Sequence, residues 1–203
     1  MKKNTMPLGA LYDIVQGTYL KKQPNEEGVQ CLVVRIQNLE GLEVAGEFAE
    51  EELAADKADR FRVQAGQIVV ALRGMPLKAG VVGERHQGFV VNSNFAVLKP
   101  RAGHTLIPLP TGEADPYFVA GLLRSGAFNQ HIAPQFAGNT LPSLKLSQLK
   151  KFEIPVVGPA TQRQMGQVFQ LLERYQKATA DLLREREQQV ESYIGQLLRG
   201  GLA

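Results

Sequence analysis

The stretch GNTLPSLKLSQLKKFEIPV, residues 138–156, decides how the rest of this sequence is read. It opens on Gly-Asn, turns at Leu-Pro-Ser, alternates leucines with polar residues, reaches the basic pair Lys150-Lys151 and closes on a second proline. An unbroken helical pattern follows almost at once. What lies before it reads as short strands and turns, and what lies after it as one helix. The stretch is therefore a joint between a globular module and a strut.

The strut comes first because its pattern is the clearer. No proline follows Pro159, and only Gly166 and Gly195 interrupt before the Gly200-Gly201 tail. Met165, Val168, Leu172, Tyr175, Thr179, Leu182 and Arg186 step alternately by three and four, which is the spacing of a coiled-coil seam. Leu183 thickens the stripe. Val190, Tyr193 and Leu197 resume it after REREQQ, which holds no apolar residue. A helix over 160–199 would run about 60 Å at ~1.5 Å per residue. A small domain at one end cannot hide such a stripe, and no second helix of similar length is legible. Self-association is the economical answer, with Met165, Val168, Leu172, Tyr175, Leu182, Val190, Tyr193 and Leu197 as the dimerisation face.

Before the joint, CLVVRIQNL (31–39), QIVVALRG (67–74), GVVGERHQGFVV (80–91) and NFAVLKP (94–100) are rich in Val, Ile and Leu and bounded by Gly, Asn or Pro. GQIVVAL is nearly continuous in apolar residues, as in a strand buried on both faces. Asp115-Pro116 opens a helix over about 116–124, with proline just inside its start. A second short helix is expected near 126–133, and another in the acidic segment 49–59. The fold class is α+β: a globular domain over residues 1–157 with an irregular mixed sheet and short helices, followed by a long coiled-coil helical region over 158–199.

Composition narrows the function. With one cysteine, Cys31, an internal disulfide is excluded and a reducing compartment is expected. Beside Leu32, Val33 and Val34, Cys31 reads as a small buried hydrophobe. The lysines of MKKNTMPLGALYDIV are not followed by a long apolar run, so no signal peptide is indicated, and no window approaches a membrane span. A cytoplasmic location is expected, with no membrane partner. The net charge of +3 says little, but its distribution says more. Outside the acidic window 40–59, residues 1–159 hold sixteen Lys/Arg against seven Asp/Glu, a basic surface of the kind a polyanion requires.

Catalytic chemistry is not legible. DPYF (115–118) is similar to the loop with which amino-methyltransferases hold a base, but Tyr117 stands where a second proline is needed, and a helix cap explains Asp115 better. His86, His104 and His131 are too far apart to suggest a metal site. No nucleophile elbow, phosphate loop or zinc-protease pair occurs. Neither enzymatic activity nor a cofactor is expected.

Recognition chemistry remains. ALRGMPLKAG puts Arg73 and Lys78 on a glycine-bounded loop, and VVNSNF gathers Asn92, Ser93 and Asn94. Arginine offers two donors to guanine O6/N7, and asparagine a donor and an acceptor to adenine N6/N7. Asparagines also favour turns for backbone reasons alone. Lys21 and Lys22, after Tyr19, suit phosphates, which set register rather than sequence. Asn139 and Thr140, in the opening stretch, are weaker candidates.

In order, the segments PLGALYDIVQGTYLKK, VVRIQNLEG, FRVQAGQIVVALRG, GFVVNSNFAVLKPR, DPYFVAGLLRSGAFNQHI and the opening stretch resemble the target recognition domain of a type I restriction-modification specificity subunit. TQRQMGQVFQLLERYQKATADLLRER resembles the long conserved helix that follows it. Each motif is loose, but their order over about residues 7–198 is specific. The resemblance implies a DNA sequence-recognition subunit, with a methyltransferase subunit and a motor-nuclease subunit as its partners. Two departures stand out. Arg163-Gln164 replaces a usual Glu-Gln pair near the helix start. One recognition domain and one helix are present where full subunits carry two of each. A half-subunit that pairs into a homodimer and reads a bipartite palindromic site on double-stranded DNA is the expectation. The alternative is an interaction module that docks on a methyltransferase or a full specificity subunit without reading DNA.

Overall fold

The computed structural model describes residues 5–19, 28–101, 114–136 and 142–199. The chain begins with β1 (Thr5–Pro7), α1 (Leu8–Leu11) and β2 (Tyr12–Gln16). β3 (Gly28–Val34) runs into a single 3-10 turn at Ile36–Leu39, and β4 (Ala49–Ala54) leads directly into α2 (Ala55–Phe61). β5 (Ile68–Ala71), β6 (Ala79–Val81), β7 (Val90–Val91) and β8 (Phe95–Pro100) follow. The helical segments are α3 (Pro116–Arg124), α4 (Gly126–Ile132) and α5 (Leu146–Lys151); β9 (Glu153–Pro155) then precedes α6 (Pro159–Leu198).

The strands form an antiparallel sheet in the order β2-β8-β5-β6, a mixed sheet β4-β3-β7 and a two-stranded pair β1-β9. Strand alternation explains how they stack. On β5, Ile68 and Val70 face the cluster that includes Phe118, Leu123 and Ile132 of α3 and α4. Val69 and Ala71 face the other way, onto Val34 and Val91 of the mixed sheet. The domain is thus three layers: helices, the antiparallel sheet, and the mixed sheet. β5 is the shared middle strand, and all four of its residues are buried, as its apolar run predicts. Cys31 packs with Leu53, Ala58 and Val90 in a smaller cluster, buried as expected.

Three expectations need correction. The acidic segment is a strand before it is a helix: Ala49–Ala54 pairs antiparallel with β3, from Gly28↔Ala54 to Val33↔Ala49, and the helix begins at Ala55. Pairing against a strand outweighs the helix preference of Glu and Ala, because it buries Leu53 and Ala54. CLVVRIQNL leaves the sheet after Val34, where Asn38 draws the chain into the 3-10 turn. GVVGERHQGFVV is two strands split by a turn at Glu84–His86, and only β7 joins β3, in parallel.

α3 starts as its sequence requires: the Asp115 carboxylate accepts the Phe118 N–H at 2.9 Å, with Pro116 in the first turn. It is also the seat of α6. A Cβ on Gly121 of α3 would come within 2.3 Å of the Phe169 ring, and one on Gly166 of α6 within 2.6 Å of the Asp115 carboxylate. The two helices approach this closely only because both positions lack a side chain. Gln162, 3% exposed, completes the joint: its side-chain oxygen accepts the Asp115 N–H at 3.0 Å and its amide donates to the Val157 carbonyl at 2.9 Å. Arg163 and Gln164, in the place of the usual pair, are exposed.

Gly121→Val would force the Phe169 ring out of its seat. A loss of about 1–3 kcal/mol is expected for such overpacking. For a chain of this length that is a fall in Tm of roughly 3–10 °C, measurable by thermal circular dichroism.

Candidate nucleic-acid interface

The two sheets separate beyond Ala71 and open a cleft of about 390 Å³, lined by Arg35, Ile36, Ala71, Arg73, Asn92, Asn94 and Phe95. Ala71, Phe95 and Ile36 give it an apolar floor, while arginines and asparagines make its rim. The structure therefore brings Arg73, Asn92 and Asn94 together, although the arginine and the asparagines belong to separate segments of the sequence. β5 and β8 are paired as Ala71↔Phe95, which sets the residues just beyond each strand side by side.

Each rim residue has its own electrostatic state. The Arg73 guanidinium is exposed and makes no hydrogen bond or ion pair with any described residue. Its backbone is bridged to Ser143, with Gly74 N–H donating to the Pro142 carbonyl at 2.9 Å and Leu144 N–H to the Leu72 carbonyl at 2.8 Å. The Arg35 guanidinium is 3.0 Å from the Glu51 carboxylate. The Asn92 side-chain oxygen accepts the Asn94 N–H at 2.9 Å, the turn-building use of asparagine. That leaves Asn92 only its amide donors. Asn94 is exposed, and its side chain makes no bond to a described residue, so it retains both a donor and an acceptor.

The end of β2 borders the same rim. Gln16 donates to the Ser93 carbonyl at 2.6 Å, and Thr18 is bridged to Asn92. Gly17 permits this, since a Cβ there would lie 2.2 Å from the Asn92 carbonyl oxygen. Tyr19, the next described residue, is 81% exposed.

Lys78 is elsewhere. Its ammonium is paired with the Glu40 carboxylate and does not line the cleft. Lys21, Lys22, Asn139 and Thr140 lie outside the described residues. Arg35, Ile36 and Ser143 are cleft or rim positions that sequence reasoning missed. Arg35 carried the same signal as Arg73, a single arginine where an apolar strand run ends.

A larger cleft of about 620 Å³ separates residues 37–46 from α6. Its carboxylates are already engaged: Glu40 by Lys78, Glu43 by the Tyr117 hydroxyl, and Glu173 by the Leu42 N–H at 2.7 Å. Burial, and then the bond to Glu43, push the Tyr117 phenol above its ordinary range, so it remains a donor. This cleft is a packing joint. Among the described residues no group of His, Cys, Asp and Glu is arranged to hold a metal, and no helix is long and apolar enough to cross a membrane.

The turn that carries Ile36 is fixed from two sides. Asn38, 1% exposed, accepts the Arg35 N–H at 2.8 Å and donates to the Ala45 and Glu47 carbonyls at 2.9 and 2.8 Å. Arg124 of α3 donates to the carbonyls of Leu39, Ala79 and Glu40. Burial lowers the Arg124 pKa from the usual arginine value, and the nearby Glu173 and Glu40 oppose that.

All eight residues expected on the dimerisation face of α6 are exposed, from 37% at Met165 to 67% at Tyr175. α6 meets the domain through Gln162, Gly166, Phe169 and Glu173 instead. At 3.6 residues per turn that docked face lies roughly a third of a turn from the apolar stripe. From Arg174 onward every described residue except Gly195 is exposed.

This arrangement, a layered α+β domain feeding one long helix, is that of a DNA-specificity domain. A sequence profile of the family described as type I restriction modification DNA specificity domain matches residues 2–192, and the chain belongs to that family. Three solved structures share the fold. The S subunit of a type I restriction-modification system from M. genitalium matches with a TM-score of 0.55 and 18% identity, covering 97% of this chain and 46% of that one. A chain from a structure of type I restriction-modification complex assembly and conformational transition matches with a TM-score of 0.63 and 18% identity, over 98% and 48%. The HsdS subunit from Thermoanaerobacter tengcongensis matches with a TM-score of 0.51 and 15% identity, over 98% and 45%. The chain thus spans about half the length of these relatives. Comparison with curated protein sequences finds no match.

Arg124→Ala would leave three carbonyls without their charged donor. Hydrogen bonds to a charged group are worth about 1.5–3 kcal/mol each at most. We expect a total loss of about 2–4 kcal/mol, read as a lower urea midpoint at unchanged m-value.

Proposed function

We propose that this chain is a DNA sequence-reading half-subunit without catalytic activity of its own. Residues 1–157 form the recognition domain, and residues 158–199 the spacer and dimerisation helix. One observation carries the reading: the cleft between the sheets gathers Arg73 and Asn94, both exposed and without a side-chain partner among the described residues. Arg73 offers the paired donors that guanine O6/N7 requires, and Asn94 the donor and acceptor that adenine N6/N7 requires. Asn92 orients Asn94 and adds its amide donors. Lys21, Lys22 and Lys78 supply positive charge toward phosphates, with Lys78 first having to leave Glu40. Asn139 and Thr140 are proposed as further contacts because they stand two to four residues before Pro142 and Ser143, which are hydrogen-bonded or bridged to Gly74 and Arg73.

Two copies pair through the stripe Met165, Val168, Leu172, Tyr175, Leu182, Val190, Tyr193 and Leu197. An isologous pair relates two identical readers by a twofold axis, so the site is bipartite and palindromic. Methyl transfer and cleavage come from separate methyltransferase and motor-nuclease subunits, as family membership implies.

Selection from random duplex DNA at near-physiological salt should enrich two inverted half-sites at fixed separation. Arg73→Ala is expected to relax one position by about 1–3 kcal/mol of discrimination. Lys21→Ala should weaken all sequences alike and shallow the log K–log[salt] slope by about 0.9 for each phosphate that is no longer neutralised. Equal loss on every sequence for both variants would overturn the assigned roles.

Leu172→Glu combined with Tyr175→Glu should convert a dimer to a monomer by light scattering, without changing the melting of the domain. A wild-type chain that is monomeric at all concentrations would favour a helix that docks on another subunit.

A further inference from the structure

Among the described residues, large apolar side chains that are clearly exposed occur on α6 and at only two other positions, Tyr19 and Ile36. Ile36 is 46% exposed and lines the cleft beside Arg73 and Asn94. Its exposure is not slack in a loose loop. The turn that presents it is held by Asn38 through three hydrogen bonds and clamped at the Leu39 carbonyl by Arg124. A rigid turn that holds a branched aliphatic side chain half in water, between hydrogen-bonding groups, suits an apolar partner that arrives with polar ones.

In the major groove, among the four bases, only thymine displays an apolar group, its 5-methyl. The same A·T pair shows adenine N6/N7 alongside it, the edge suited to an asparagine amide. We infer that Ile36 is a specificity-determining residue that reads a thymine 5-methyl group, at or next to the base pair read by Asn94. The inference rests on the DNA-reading function proposed above. It narrows the ligand to a half-site containing a thymine whose methyl group is buried against Ile36.

The test removes the methyl and nothing else. Each thymine of the half-site selected by the purified full-length chain is replaced in turn by deoxyuridine, and binding is measured for wild type, Ile36→Ala and Ile36→Val. For wild type, one replacement should weaken binding about fourfold, the worth of one methyl group taken out of water. Ile36→Val should keep most of that sensitivity. Ile36→Ala should bind the thymine and uracil forms of that position equally, and a circular dichroism melt checks that it is folded. A selected site without thymine, a wild type indifferent to every replacement, or an Ile36→Ala variant that remains methyl-sensitive overturns the role of Ile36 and leaves DNA reading intact. If no sequence is enriched at all, DNA reading fails and the role of Ile36 fails with it.

Discussion

A single strand buried on both faces is the constraint on which the domain depends. β5 contributes Ile68 and Val70 to the helical layer and Val69 and Ala71 to the layer between the sheets. A change of register by one residue would exchange the two sets, setting Val69 and Ala71 where Ile68 and Val70 fill the helical layer. Because the strand is pinned from above and below, the residues just past its end have fixed positions. Arg73 leaves the sheet where the two layers part, and β8, paired to β5, delivers the 92–94 turn to the same place. The cleft is what remains when two packed sheets stop packing.

The long helix solves a different problem. It must be joined stiffly to the domain and still present an apolar stripe elsewhere. The two demands are met on different faces. The buried Gln162 and Gly166 and the half-buried Phe169 seat it on α3, and apolar residues a third of a turn away stay in water. The near contact at Gly121 and Gly166 does not merely permit docking. It fixes the angle at which the helix leaves the domain, and so the direction in which the stripe faces.

Residues 142–156 connect these two features over a short span of chain. Ser143 bridges to Arg73 at the cleft, α5 packs against α1, and Ile154 pairs with Met6 before α6 begins. Lys150 and Lys151 end α5, where positive charge also suits the helix C-terminus.

Much of this was legible in order along the chain. Apolar runs marked β5 and β8, Asp115-Pro116 marked the start of α3, and three-four spacing marked α6 and its stripe, since each is a local pattern with a local cause. The acidic segment was misread because its partner strand lies well upstream, and pairing there overrides helix preference. Arg73 and the asparagines were legible as chemistry, but not as one site. Nothing in their spacing says that β5 and β8 are neighbours. Arg35 and Ile36 escaped notice for the same reason: an exposed isoleucine looks in sequence like one more member of an apolar strand. The sequence by itself determined which segments are strands or helices and which side chains can offer hydrogen bonds. Only tertiary structure decided which of those side chains keep their donors and acceptors free, because that depends on partners, such as the Glu40 carboxylate for the Lys78 ammonium or the Asn94 N–H for the Asn92 side-chain oxygen, which folding brings alongside.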